Sequence, residues 1–188
     1  MIQSTNRFIV SPKGGNHFIN DKKIGSQTIV INTSIEDHKN VNRVGIIQSI
    51  PLEYEGNIQV GDEVIVQHNI FRDYFDMKGI TQKSSFHVKD NLFFVPEELI
   101  YLINRNKEYI SVDDYCFIEP IFKEERWIGK VEQEHLGIVK YGNKNLESIG
   151  VFNGDLIAFE NDGEVEFLVD DIRLYKMKDS MILVKIPA

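Results

Sequence analysis

The chain contains 188 residues, of which 42% are hydrophobic and 27% charged, as in an ordinary globular protein. Its 29 acidic and 21 basic residues give a net charge of −8, which disfavours binding to a nucleic-acid backbone. No apolar run approaches the roughly 18 residues of a membrane span, so we expect no membrane partner. The first residues lack the pattern of a signal peptide, and the single cysteine, Cys116, cannot form an internal disulfide. These features predict a cytoplasmic protein.

Along the chain, the predicted secondary structure is almost entirely β. Alanine, the best helix former, occurs only at Ala158 and Ala188, whereas β-branched and aromatic residues are plentiful. One helical turn is predicted after Pro96. Gly, Asn or Asp separates most of the apolar segments, at the spacing of a barrel or sandwich. These segments are residues 8–10, 44–47, 64–66, 92–95, 117–118, 137–139, 156–159 and 182–184.

The same order of elements occurs twice in the chain. Each half begins with an apolar pair followed shortly by proline, at Pro12 and Pro120, and continues with a strand opened by glycine, at Gly45 and Gly137. A Gly-Asp turn into another apolar strand comes 16 residues after that glycine in the first half and 17 in the second. Two further strands close each half. This repetition favours two tandem β domains, and one continuous β domain is the alternative.

The order of these motifs resembles that of the GroES co-chaperonin family. Its members have a Gly-opened strand, a Val-Gly-Asp turn into a strand, and a closing strand pair. The matching residues are 45–47, 60–66 and 91–103 in the first half and 137–139, 153–159 and 172–186 in the second. The resemblance implies an all-β fold of two tandem GroES-like small β-barrels, residues 1–104 and 109–188. It also implies a homo-oligomeric ring, closed by residues 7–10 of one chain and 183–186 of the next.

The two halves differ between their first strand and their Gly-opened strand. Pro12 and Gly45 are 33 residues apart, whereas the corresponding residues of the second half are 17 apart. In the GroES family this place holds a mobile loop, whose apolar motif docks into a groove on the chaperonin ring. The resemblance therefore identifies Ile29, Val30 and Ile31 as chaperonin-binding residues, and the second half lacks such a loop. The alternative is a core strand, since three branched apolar residues in a row favour that structure.

Two other aromatic segments accompany this difference. Residues 70–86 of the first half include about ten residues that the second half lacks, and their aromatic side chains are expected to pack on the barrel, with an interface as the alternative. In the second half, the single tryptophan, Trp127, is interpreted as sealing a core or a domain interface, and binding of a partner by Trp127 and Ile128 is the alternative.

No catalytic constellation is visible in the sequence. The five histidines are scattered without metal-ligand spacing, and there is no Gly-x-Ser-x-Gly motif or Gly-rich phosphate loop. Cys116 lies between Tyr115 and Phe117 and is interpreted as a buried strand residue, with a reactive thiol as the alternative. We therefore predict no enzyme and no catalytic, metal-binding or cofactor-binding residues.

The resemblance predicts a co-chaperonin that caps a GroEL-like chaperonin ring through the mobile loop and assists protein folding. The alternative function is that of a non-catalytic structural or assembly protein with a GroES-like fold. A phage-encoded chain is compatible with either function, and its place of action would be the host cytoplasm.

Overall fold

A computed structural model describes residues 4–19, 21–24, 27–30, 41–127, 129–160, 165–170 and 172–187. These residues form seventeen strands, one short α-helix and three one-turn 3-10 helices, so the predicted all-β class is confirmed. The chain divides into two compact units, Met1–Glu108 and Tyr109–Ala188, which are called unit 1 and unit 2 below. The division falls inside strand β11 (Glu108–Ser111). Among the residues described, no helix is long and apolar enough to cross a membrane.

Unit 1 is built around one antiparallel sheet and two separate hairpins. Its strands are β1 (Phe8–Pro12), β2 (Asp21–Ile24), β3 (Gln27–Val30), β4 (Val44–Ser49), β5 (Glu63–Val66), β6 (Asp73–Phe75), β7 (Thr81–Lys83), β8 (His87–Lys89), β9 (Leu92–Val95) and β10 (Ile100–Arg105). One-turn 3-10 helices lie at Lys13–Gly15 and Glu97–Leu99. Strands of the main sheet follow the order β10-β5-β4-β1-β9-β8, and the pairs β2-β3 and β6-β7 form the hairpins. Strand β1 lies inside this order, and its Phe8, Ile9 and Val10 side chains are buried on both of its faces.

Unit 2 has a six-stranded antiparallel sheet. Its elements are β12 (Tyr115–Glu125), β13 (Gly129–Tyr141), α1 (Lys144–Ser148), β14 (Leu156–Phe159), β15 (Val165–Val169), β16 (Ile172–Lys178), a 3-10 turn (Asp179–Met181) and β17 (Ile182–Lys185). Helix α1 begins at Lys144, and the side chain of the preceding Asn143 caps it by accepting a hydrogen bond from the Leu146 N–H group. The sheet order is β17-β14-β13-β12-β16-β15. This is the order of unit 1 when β12, β13, β14, β16, β17 and β15 are matched with β1, β4, β5, β9, β10 and β8.

The sequence predicts a glycine at the start of the second strand of each repeat, but Gly45 is the second residue of β4 and Gly137 lies in the interior of β13. The two glycines nevertheless have the same packing role in both units. Gly45 lies opposite Pro12 in the β1-β4 pair, and Gly137 lies opposite Pro120 in the β12-β13 pair. A Cβ atom at Gly45 would lie 2.4 Å from Val10 Cγ1 in β1. One at Gly137 would lie 2.4 Å from Ile118 Cγ2 in β12. Any larger residue would therefore overlap a buried side chain, which explains why both strands have glycine at this position.

The described strands leave both main sheets open. In unit 2 the outer strands are β15 and β17, and in unit 1 β8 lies at one end, so the strand pairing does not close the predicted barrels. Strand β1 pairs with β4 on one side and with β9 on the other. Residues 8–10 therefore have no edge for the expected pairing with another chain. Strand β17 pairs only with β14 among the described residues and keeps one edge free.

Candidate functional site

The predicted docking triplet lies partly in strand β3. Ile29 is opposite Lys22 and Val30 is opposite Asp21 in the β2-β3 hairpin. The side chains of Ile29 and Val30 are 46% and 66% exposed, and Ile31 lies outside the described residues. Because neighbouring strand residues point to opposite faces, both faces of the hairpin are exposed at these positions. Two adjacent branched apolar side chains are thus accessible to a partner and do not belong to the core of unit 1.

The segment that carries this hairpin, residues 13–43, is called the docking segment. Its two ends are held together by Asn42, which is 5% exposed. The Asn42 side-chain amide donates to the carbonyl oxygens of Lys13 and Asn16 at 3.1 and 2.8 Å, while its Oδ1 atom accepts from the Val44 N–H at 2.9 Å. The Asn42 backbone N–H also donates to the His17 carbonyl. The role of Asn42 could not be predicted from the sequence, because a buried asparagine cannot be told from an exposed one in an Asn-rich stretch.

His17 connects the docking segment to the β6-β7 hairpin. Its ring atom Nδ1 lies 3.0 Å from Asp73 Oδ1, and its Nε2 atom lies 2.6 Å from Asn91 Oδ1. The Asp73 carboxylate also accepts a hydrogen bond from Lys83 Nζ at 2.9 Å. Both His17 and Asp73 have largely buried side chains. The contact therefore joins residues 13–43 to residues 70–86, which are the two segments that distinguish the first half of the sequence from the second.

In unit 2 a continuous hairpin takes the place of the docking segment. Strands β12 and β13 stay paired beyond Pro120, out to Glu125 opposite Gly129. Trp127 lies in the turn of this hairpin and is 90% exposed, with the Arg126 guanidinium 5.8 Å from the centre of its ring. The prediction that Trp127 seals a core is therefore wrong. A large apolar side chain in the turn of this hairpin is instead accessible to solvent.

The described residues contain neither a cluster suited to a metal ion nor an activated cysteine. Among them there is no group of three or more His, Cys, Asp or Glu side chains that could hold a metal ion. Cys116 is fully buried, which confirms its predicted position in a buried strand. Burial, together with the nearby charges of Asp179 and Asp114, raises the pKa of the Cys116 thiol to about 12. This cysteine is therefore protonated at neutral pH and is not an activated thiolate.

Comparison with known proteins does not identify the family of this chain. No family model matches the chain. The chain is similar to terpene synthase 8 of Dictyostelium purpureum, with 25% identity over 123 residues, or 65% of this chain and 35% of that protein. It thus spans about a third of the length of the curated relative that it matches. At this identity and coverage, the similarity does not assign the chain to a family.

Proposed function

We propose that this protein is a co-chaperonin that binds the open end of a GroEL-like chaperonin ring through the docking segment. Ile29, Val30 and Ile31 are the proposed contact residues. The observation that supports this proposal is the exposure of Ile29 and Val30 in a segment that unit 1 has and unit 2 lacks, on an otherwise repeated strand framework. Exposed branched apolar residues suit a partner that offers an apolar groove.

Both units are assigned to the GroES-like fold under this proposal, as residues 1–104 and 109–188. Support comes from the common order of six strands and from the shared roles of Gly45 and Gly137. The turn that follows is also alike, since Gly61 and Gly154 both adopt positive φ angles, of 93° and 95°. The assignment rests on strand order and local packing and does not depend on closure of the sheets.

The binding energy available to one docking segment is modest. Full burial of a valine or isoleucine side chain contributes roughly 1.5–3 kcal/mol, from which the cost of ordering the interface is subtracted. A homo-oligomeric ring would present several such segments at once and convert weak contacts into tight binding. The free edge of β17, with exposed Leu183 and Val184, is the proposed place of contact between chains. No catalytic group or cofactor is required of this chain, because the chaperonin hydrolyses ATP.

Co-sedimentation with a bacterial chaperonin, with and without ATP, tests the proposal. We expect the wild-type chain to co-sediment in the presence of ATP. The variant with Ile29→Ser, Val30→Ser and Ile31→Ser should lose binding and keep its melting temperature. Leu52→Ser is the matched control, because Leu52 is also an exposed apolar residue of unit 1 and lies outside the docking segment. This control should bind as the wild type does.

Three results would contradict the proposal. A triple variant that melts several degrees lower would place the triplet in a core strand. A triple variant with unchanged melting and unchanged binding would separate the docking segment from chaperonin recognition. A wild-type chain that never co-sediments would favour the structural or assembly function.

A further inference from the structure

A pocket in unit 1 lies between the end of β5 and the β6-β7 hairpin. Its volume is about 490 Å³, within the range of small-molecule sites. The described residues of its wall include side chains that can donate hydrogen bonds and two aromatic rings, and none of them is a carboxylate. The residues that matter here are Gln67, Asn69, Arg72, Tyr74, Ser85 and Phe86.

Arg72 is the unusual member of this wall. Its Nε atom is shut off from solvent and has no hydrogen-bond partner in the part of the chain that the structure describes. No described residue forms an ion pair with Arg72, whereas Arg105 pairs with Asp62 and Arg173 pairs with two glutamates. A guanidinium that is partly desolvated and has no counter-charge is costly in a folded protein. An anion in the pocket would supply the missing counter-charge.

The nearest acidic residue in the sequence does not provide that counter-charge. Asp73 follows Arg72 directly, but its carboxylate is engaged by His17 and Lys83. Neighbouring residues of an extended strand point to opposite sides, so Arg72 and Tyr74 share one side and Asp73 takes the other. This alternation explains why Arg72 and Tyr74 both line the pocket while Asp73 does not.

We propose that this pocket binds a small organic anion, in which a carboxylate or phosphate group is attached to an aromatic or apolar body. The planar guanidinium of Arg72 can hold two oxygens of either group at once. The Gln67 and Asn69 amides and the Ser85 hydroxyl are the further donors on the wall. Tyr74 and Phe86 provide the surface for the apolar body. This site is independent of the proposed chaperonin binding.

Titration calorimetry on the full chain, at fixed ionic strength, tests the site. The probes are phenyl phosphate, benzoate, inorganic phosphate and the uncharged benzamide. We expect saturable binding of one phenyl phosphate or benzoate per chain, weaker binding of inorganic phosphate, and none of benzamide. The tighter of the first two probes identifies the anionic group.

Substitutions test whether the named pocket residues bind the anion. Arg72→Met should weaken the organic anions about tenfold to a hundredfold, since it removes a charged hydrogen-bonding partner. Arg126→Met is the matched control and should bind as the wild type does, because Arg126 lies in unit 2. Tyr74→Ala should weaken phenyl phosphate and leave inorganic phosphate unchanged.

Thermal melting of Arg72→Met checks that it folds, and we expect a melting temperature equal to or above that of the wild type. If this variant unfolds, Arg72→Lys takes its place, with weaker binding expected because lysine lacks the paired donors. The proposal is overturned if no anion binds saturably at millimolar concentration. It is also overturned if benzamide binds as well as benzoate, or if replacing Arg72 changes nothing.

Discussion

Asp62 and Arg105 form an ion pair that joins the Gly-Asp turn of unit 1 to its strand β10, with 2.6 Å between Asp62 Oδ2 and Arg105 Nη2. The same carboxylate accepts a hydrogen bond from the Gln59 N–H and so closes the turn. In unit 2, Asp155 and Lys185 repeat the arrangement, again at 2.6 Å. The recurring Gly-Asp pair is thus a turn that also anchors the last strand of its sheet.

Replacement of Asp62 should be more harmful than replacement of its counterpart. Asp62 is 5% exposed, and Asp62→Asn leaves the Arg105 guanidinium without its charged partner. We expect a loss of roughly 1–3 kcal/mol in the free energy of unfolding. Asp155→Asn should cost less, because its partner Lys185 is more exposed to water. Urea unfolding of the two variants measures the difference, and equal losses would contradict the role of burial.

The same aspartate should contribute to the acid sensitivity of the protein. Burial raises the pKa of Asp62, but the Arg105 hydrogen bond, the Gln59 N–H and the Arg105 charge together hold it below the ordinary value of 3.8. A carboxyl group whose pKa is lowered by folding stabilises the protein above its unfolded pKa. That contribution is therefore present above pH 3.8 and is lost as the pH falls through the folded pKa. Asp62→Asn should lose less stability than the wild type between pH 4 and pH 2, and parallel curves would count against this assignment.

Alanine at either repeated glycine should destabilise its unit. The new Cβ atom would lie 2.4 Å from a methyl group of Val10 or Ile118, and both of these side chains are fully buried. We expect Gly45→Ala and Gly137→Ala each to cost about 1–3 kcal/mol, the usual range for overpacking. Urea unfolding provides the measurement. Gln48→Ala, at an exposed position of β4, is the control and should cost less.

A second substitution shows whether the overlap is the cause. Val10→Ala removes the methyl group that the new Cβ would meet, so the double variant Gly45→Ala, Val10→Ala should lose less than the sum of the two single losses. Strict additivity would mean that Gly45 acts through its backbone and not through its close approach to Val10.

Tryptophan fluorescence reports on Trp127 alone, because it is the only tryptophan of the chain. Since its side chain is 90% exposed, we expect emission near that of tryptophan in water, with acrylamide quenching close to that of the unfolded chain. Trp127→Ala should change the free energy of unfolding by less than about 0.5 kcal/mol, as is usual at surface positions. Blue-shifted emission, or a loss of several kcal/mol, would show that the ring is buried.

Much of the framework could be predicted from the sequence because short motifs fix local geometry. Gly45 and Gly137 indicate a close approach of two strands, and the Gly-Asp pairs indicate turns that require a positive φ angle. Their spacing therefore predicted a repeated order of strands. Closure into barrels did not follow, because it depends on pairing between the outer strands, which no local motif specifies.

The environment of individual side chains was harder to predict. A lone tryptophan usually seals a core or a domain interface, which is the interpretation that the sequence favours for Trp127, yet the charged residues around it indicate a hairpin exposed on both faces. The roles of Asn42 and Arg72 depend on residues that are distant in sequence. The Asn42 side chain is held by hydrogen bonds where the two ends of the docking segment meet. Arg72 is distinguished by the lack of an ion-pair partner among the described residues. Neither relationship leaves a signal in a single sequence.

The two units bring their first two main-sheet strands together across very different lengths of chain. Strands β12 and β13 are joined by a tight turn, so their pairing can begin next to Gly129 and spread along the hairpin within microseconds. Strands β1 and β4 are separated by residues 13–43, and closing so long a loop costs roughly 2 kcal/mol more in chain entropy, from (3/2)RT ln n. Unit 1, which precedes unit 2 in the chain, is therefore the slower of the two to pair its first two main-sheet strands. Until that loop closes, the apolar residues of β1 lack one of their two partner strands.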